Sequence, residues 1–166
     1  MAKYDVEDLL DSVLDIMMGG GALNAKIASI DAEKIAAGKG LTPALTPIAD
    51  EAYYLQTWTD KILNTSPAIF YGVEDVTALD GGTDAVAKTY KIFVEIILVD
   101  SGMTNDSSKR INRYARALEE LFSQAYAPAL GSLVKIDTVR PISFKLEMDS
   151  DSEVKVGGIS LTISLV

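Results

Sequence analysis

Val6, Leu9, Leu10, Val13, Leu14 and Met17 recur at the i, i+3, i+4, i+7 spacing of an amphipathic helix, with Asp8, Asp11 and Asp15 on the opposite face. Gly19-Gly20-Gly21 ends or sharply bends that helix. A second helix is predicted from about Leu23 to Ala37, with Ile27, Ile30 and Ile35 as its apolar positions and Gly38 and Gly40 as stop signals. Leu41 to Pro47 contains two Thr-Pro steps and reads as an extended connector. Ala49 to Asn64 fits a helix or a short strand equally well.

From Ala68 the period becomes two. Ala68-Ile69-Phe70-Tyr71-Gly72-Val73 opens a strand, and Asp80-Gly81-Gly82 is a turn signal. Tyr90, Ile92, Val94, Ile96 and Leu98 then alternate with a second, mostly apolar set, which places this strand in the centre of a sheet. The possible N-caps Thr104 to Ser108 precede a helix over about 105–126, striped by Ile111, Tyr114, Ala115, Leu118, Leu121, Phe122 and Ala125 and closed by Pro128 and Gly131. Val134 and Ile136 lead through Pro141 to Ile142, Phe144, Leu146 and Met148, and Asp149-Ser150-Asp151-Ser152 is a turn. Val154 and Val156 are even-numbered, whereas Ile159, Leu161, Ile163 and Leu165 are odd. This change of parity at Gly157-Gly158 predicts a β-bulge there.

The two strand pairs read as hairpins. The expected fold is α+β: a mostly antiparallel sheet of about four strands, one covering helix over about 105–126, and an N-terminal helical arm. The 166 residues fit one domain, with residues 1–50 as arm and connector and 67–166 as the sheet-and-helix core.

Composition narrows the chemistry. The absence of Cys removes disulfides, thiolate nucleophiles and sulfur-ligated metals, and the absence of His removes the usual neutral-pH base and the commonest transition-metal ligand. A net charge of −9 argues against nucleic acid or an anionic membrane as the main partner. No uninterrupted apolar run reaches the roughly 20 residues of a bilayer span. The N-terminus is acidic where a signal peptide is basic, so a soluble, cytoplasmically made protein is expected.

Several candidate sites have ordinary explanations. Glu119-Glu120 and Asp149/Asp151/Glu153 suggest paired-carboxylate or calcium chemistry, but a solvated helix face and a hairpin tip account for them. Gly19-Gly20-Gly21 and Gly81-Gly82 lack the spaced Gly and Lys of a phosphate-binding loop and read as hinge and turn. No catalytic residue, cofactor or metal site is expected.

Charge distribution is more informative. Residues 1–83 hold 13 acids and 5 bases, and residues 84–166 hold 11 acids and 10 bases, including all four Arg. Lys109, Arg113, Arg116 and Glu120 fall within roughly 60° of one another, opposite the apolar stripe of their helix. Cations in a helix's first turns oppose its dipole by about 0.3–1 kcal/mol each, so local stability does not explain them. A solvated face is one reading and a docking strip is the other. The predicted subunit interface pairs this strip (Lys109, Arg113, Arg116) with the acidic face Asp8, Asp11 and Asp15 of a neighbouring copy.

Taken together, about residues 67–166 resemble the tail terminator (neck) proteins of tailed bacteriophages. The features that carry the resemblance are the strand start Pro67 to Gly72, the apolar strand Tyr90 to Asp100, the helix Ser107 to Tyr114 and the closing Val156-Gly157-Gly158-Ile159-Ser160-Leu161-Thr162-Ile163. The resemblance implies a non-enzymatic virion protein, assembled in the bacterial cytoplasm. It would form a homo-hexameric ring that caps the tail tube and joins it to the head connector. DNA would pass through the bore without specific binding, and there would be no cofactor or membrane contact. Close alternatives are a head-completion adaptor and a sheath terminator of a contractile tail. A small acidic enzyme or regulatory domain is the alternative from another class.

Overall fold

The computed structural model describes residues 6–55, 66–79, 87–101, 105–129, 133–145 and 152–165. Residues 56–64 of the ambiguous stretch, the turn at Asp80-Gly81-Gly82, Thr104, Gly131, Leu146, Met148 and the turn residues Asp149 to Asp151 lie outside them.

The first two helices form where their apolar periodicity puts them. α1 spans Val6–Met18 and buries Leu9, Val13 and Met17, one residue per turn. α2 spans Ala22–Ala36. Between them Gly20 and Gly21 take φ of 61° and 69°, in the left-handed region that side chains disfavour. The glycine triplet is thus the expected sharp bend. The buried arc of α2 differs from the expected one: it consists of Leu23, Ile27, Ile30 and Asp31. Ile35 lies about 40° beyond Asp31 around the helix, outside the buried arc, and is 56% exposed.

The sheet runs β1 (Tyr53–Leu55), β2 (Ala68–Leu79), β3 (Ala87–Ser101), β5 (Ser152–Leu165), β4 (Leu133–Lys145) in spatial order. β1 adds to β2 in parallel, and every other pair is antiparallel. β3 is central, as its apolar faces require. α3, Asn105–Ala129, joins β3 to β4 and lies across the sheet. It runs past Pro128 to Ala129. The fold is therefore α+β with a mixed, mainly antiparallel sheet.

The register replaces the bulge expected at Gly157-Gly158. β5 pairs with β3 without interruption from Lys88↔Leu165 to Ser101↔Ser152. The irregularity lies in β4 between Val139 and Ile142, where Arg140-Pro141 adds a residue opposite Gly157 and the proline has no N–H for the ladder. The parity change in β5 is a change of face. Ile159, Leu161 and Ile163 pair with Val94, Ile92 and Tyr90, whereas Val154 and Val156 share the other face with Val99 and Ile97. All five β5 residues are buried, so both parities are apolar without a bulge. The two glycines are needed for close approach. A Cβ on Gly157 would lie 3.1 Å from Ile111 and 3.3 Å from Ala115 of α3, and one on Gly158 would overlap the Val94 carbonyl. A second irregularity, not foreseen in the sequence, lies in β2 between Val73 and Asp75.

α3 is covered on two sides. Ile111, Ala115, Leu118 and Phe122 are buried on its apolar stripe, and α2 packs against another flank. Leu9, Val13, Met17, Leu23, Ile27 and Ile30 lie in the same hydrophobic cluster as the sheet residues. The N-terminal helices thus contribute side chains to the core. Taken with their glycine bend, Val6–Ala36 form 31 helical residues long and apolar enough on average to cross a membrane. Six of their apolar side chains are buried in this core, whereas Val6 and Ile35 are exposed.

Candidate interaction surfaces

The most concentrated polar chemistry lies where α2 meets α3. Asp31, at a position of α2 that otherwise suits an apolar residue, lies 3.4 Å from the Arg113 guanidinium. Arg113 also donates to the Lys39 carbonyl at 2.5 Å, just beyond the end of α2. One turn further along, Arg116 donates to both carboxylate oxygens of Glu33, at 3.1 and 2.9 Å, and to Glu120 at 2.6 Å. Lys26 extends the network to Glu120 at 3.9 Å. The Arg116 bonds, with the Lys34 ammonium 3.4 Å away, hold the Glu33 carboxyl down at about 2 and raise the Arg116 guanidinium above its ordinary value.

Two further side chains fasten the connector. The Asn24 amide donates to the Ile48 carbonyl at 2.9 Å and accepts from the Ile48 N–H at 2.8 Å. The Tyr114 hydroxyl donates to the Thr46 carbonyl and accepts from the Thr46 N–H, both at 2.9 Å. Burial pushes this tyrosine's pKa up. Asn24, Arg113 and Tyr114 thereby satisfy backbone groups of an extended segment that joins no sheet at those residues.

The expected basic strip is therefore not a continuous solvated face. At about 100° per residue Arg113 lies only about 40° from Ala117, which is fully buried, and α2 covers both. Arg113 is 7% exposed. Arg116 is half-buried and committed to Glu33 and Glu120 of its own chain. Lys109 remains at the surface, its side chain 59% exposed and 3.2 Å from Asp106. Asp8, Asp11 and Asp15 are exposed along α1, as the periodicity requires. The strip and this acidic face are not brought together within the molecule. Reading α3 as a helix with a single covered side produced the error. A signal of the second side was present: Asp31 follows Ile27 by four residues on the apolar arc of α2, and an acid there needs a base opposite.

The structure also collects cations that are scattered in the sequence. A cleft of about 620 Å³ between the end of α2 and the first half of α3 is lined by Lys34, Lys39, Lys109, Asn112 and Arg113, with Gly38, Gly40 and Leu41 completing it. Four of the eight lining residues are cationic and none is acidic. Glu33, Asp106 and Asp31 lie within 3.4 Å of Lys34, Lys109 and Arg113, so the excess of positive charge at the cleft is small and centres on Lys39. Lys34 and Lys39 were not singled out in the sequence, because they are adjacent to Lys109 only through the α2–α3 packing.

Among the described residues no group of His, Cys, Asp and Glu is placed to hold a metal ion. Glu120 is engaged by Arg116 and Lys26, and Glu119 is exposed on another side of the helix, so the two do not converge. The side chains of Asp149, Asp151 and Glu153 lie outside the description. No protein-family model matches the chain, and no curated protein matches it.

Proposed function

We propose that the chain is a structural subunit of a tailed-phage neck. Copies assemble into a ring, taken as a hexamer, that caps the tail tube and joins it to the head connector, with DNA passing through the bore. The ring acts as a shaped washer in the virion and performs no catalysis. The observation that supports this reading is the presence, on different elements of one chain, of two oppositely charged surfaces: the exposed acids of α1 and the cationic cleft between α2 and α3. A ring built by repeating one heterologous contact needs two such complementary faces on each copy. An acidic chain also suits a passage for DNA, since phosphate binding requires clustered cations.

Native mass measurement and electron microscopy of the purified protein test the proposal. A discrete ring-sized species with a central hole is the expected result. A monomer at every concentration, including in the presence of tail tubes, overturns it.

A further inference from the structure

Within this ring reading, on which the inference rests, we infer that the cationic cleft between α2 and α3 receives the acidic face of α1 from a second copy of the chain. The cleft's exposed cations are Lys39 and Lys109, with Lys34 half-buried at its side and the buried Arg113 at its base. Arg113 is held in place by Asp31 and the Lys39 carbonyl, so it contributes fixed positive charge without reaching out. Glu33, shared with Arg116, offsets Lys34, and Asp106 offsets Lys109 in part, so Lys39 and the exposed end of Lys109 carry the attraction.

The occupant follows from charge and shape. Asp8, Asp11 and Asp15 run along one side of α1 over about 10 Å, at about 1.5 Å per residue. They are exposed, and no α1 residue lines the cleft of its own chain. Joining one copy's α1 to another's cleft therefore leaves a free α1 at one end and a free cleft at the other. Made once between each pair of copies, such a contact is heterologous and closes as a ring or continues as a filament, whereas reciprocal exchange about a two-fold axis closes a dimer, a result that would overturn the ring reading. The contact is also screened by salt, so assembly weakens as ionic strength rises.

The earlier pairing of α1 with Arg113 and Arg116 cannot be tested cleanly, because reversing those arginines breaks contacts inside the chain. Lys39→Glu with Lys109→Glu, and Asp11→Lys with Asp15→Lys, alter exposed side chains instead. Each double variant alone is expected to need about tenfold or more higher concentration for half-assembly, with an unchanged melting temperature. Mixed in equal amounts they are expected to assemble, since the acidic cleft of one then meets the basic α1 of the other.

Restoration on mixing supports the inference. If wild-type protein forms the ring and both variants form it equally well, the ring reading stands and this contact is wrong. Impairment that mixing does not relieve also overturns the contact. Inorganic phosphate carried by the wild-type protein in native mass spectra and lost from the lysine variant, with assembly unchanged in both, assigns the cleft to a free anion and overturns it. A wild-type protein that never leaves the monomer overturns the contact and the ring reading together.

Discussion

α1 and α2 both carry acidic residues, and these meet different fates. On α1, Asp8, Asp11 and Asp15 point away from the buried residues Leu9, Val13 and Met17 and are exposed. On α2, Asp31 lies within the buried arc against Arg113, and the exposed Glu33 is bound by Arg116. Carboxylates of similar local sequence thus serve different purposes. Those of α2 hydrogen-bond to arginines of α3, whereas those of α1 lie exposed on the opposite side of their helix from its buried residues. Burial accounts for the Asp31–Arg113 pair, and the reach of Arg116 accounts for the exposed Glu33. A charge held in the interior is costly without a partner, so Asp31 and Arg113 require each other, while a charge in water requires nothing.

Removing the whole N-terminal layer is the most severe test of this division. Deletion of residues 1–40 takes away six core side chains, Leu9, Val13, Met17, Leu23, Ile27 and Ile30. At roughly 1.5–3 kcal/mol each, their loss is comparable to the roughly 5–15 kcal/mol by which domains are stable. The truncated chain is expected to be unfolded by circular dichroism. A cooperative melt from the truncated chain would make the helices an accessory after all.

Arg113→Ala comes next. It leaves Asp31 buried without its guanidinium and the Lys39 carbonyl without its donor. The expected loss is about 3–5 kcal/mol in chemical denaturation. A loss near zero would place Asp31 in the same class as the α1 acids.

The acid limb of the stability curve distinguishes the faces by pH. The Glu33 pKa is lowered from 4.5 to about 2 on folding, chiefly by its hydrogen bonds from Arg116. Its contribution is therefore complete above pH 4.5 and is lost as the pH falls through about 2. Glu33→Gln is expected to flatten the melting temperature against pH between those values, and an unchanged profile would show the pair to be energetically idle. The smallest effect belongs to α1: Asp11→Ala with Asp15→Ala is expected to change stability by no more than about 0.5 kcal/mol, measured by thermal melts at neutral pH. A larger loss would mean that these acids, too, are committed within the chain.

Local pattern was a good guide to elements and a poor one to neighbours. The spacing of Leu9, Val13 and Met17, the alternation from Tyr90 to Leu98 and the glycine triplet report on the backbone around them, and each appears in the structure as expected. Ile35, Arg113 and the Gly157-Gly158 pair were misread for one shared reason. Each was assigned a face from its own element, while its environment is set by the packing of other elements: α2 for Arg113, the end of the α2–α3 contact for Ile35, and α3 side chains and the β3 backbone for the glycines. The candidate cleft was legible only in part. Lys109 and Arg113 stood out by helical spacing, whereas Lys34 and Lys39, about seventy residues away in sequence, joined them through packing alone.

From the sequence alone come the α+β class, the places where helices and strands begin, the central position of β3, and the excess of acid without His or Cys. These depend on spacing and residue type, which are properties of neighbours along the chain. The tertiary structure alone decided that β5 inserts between β3 and β4, that the first two helices complete the core, and that Arg113 of α3 is buried while lysines of α2, α3 and the connector gather around a cleft. Hydrophobic burial is non-directional and selects the assembly of elements as a whole, so which charges become buried and which remain free is settled only when the layers come together.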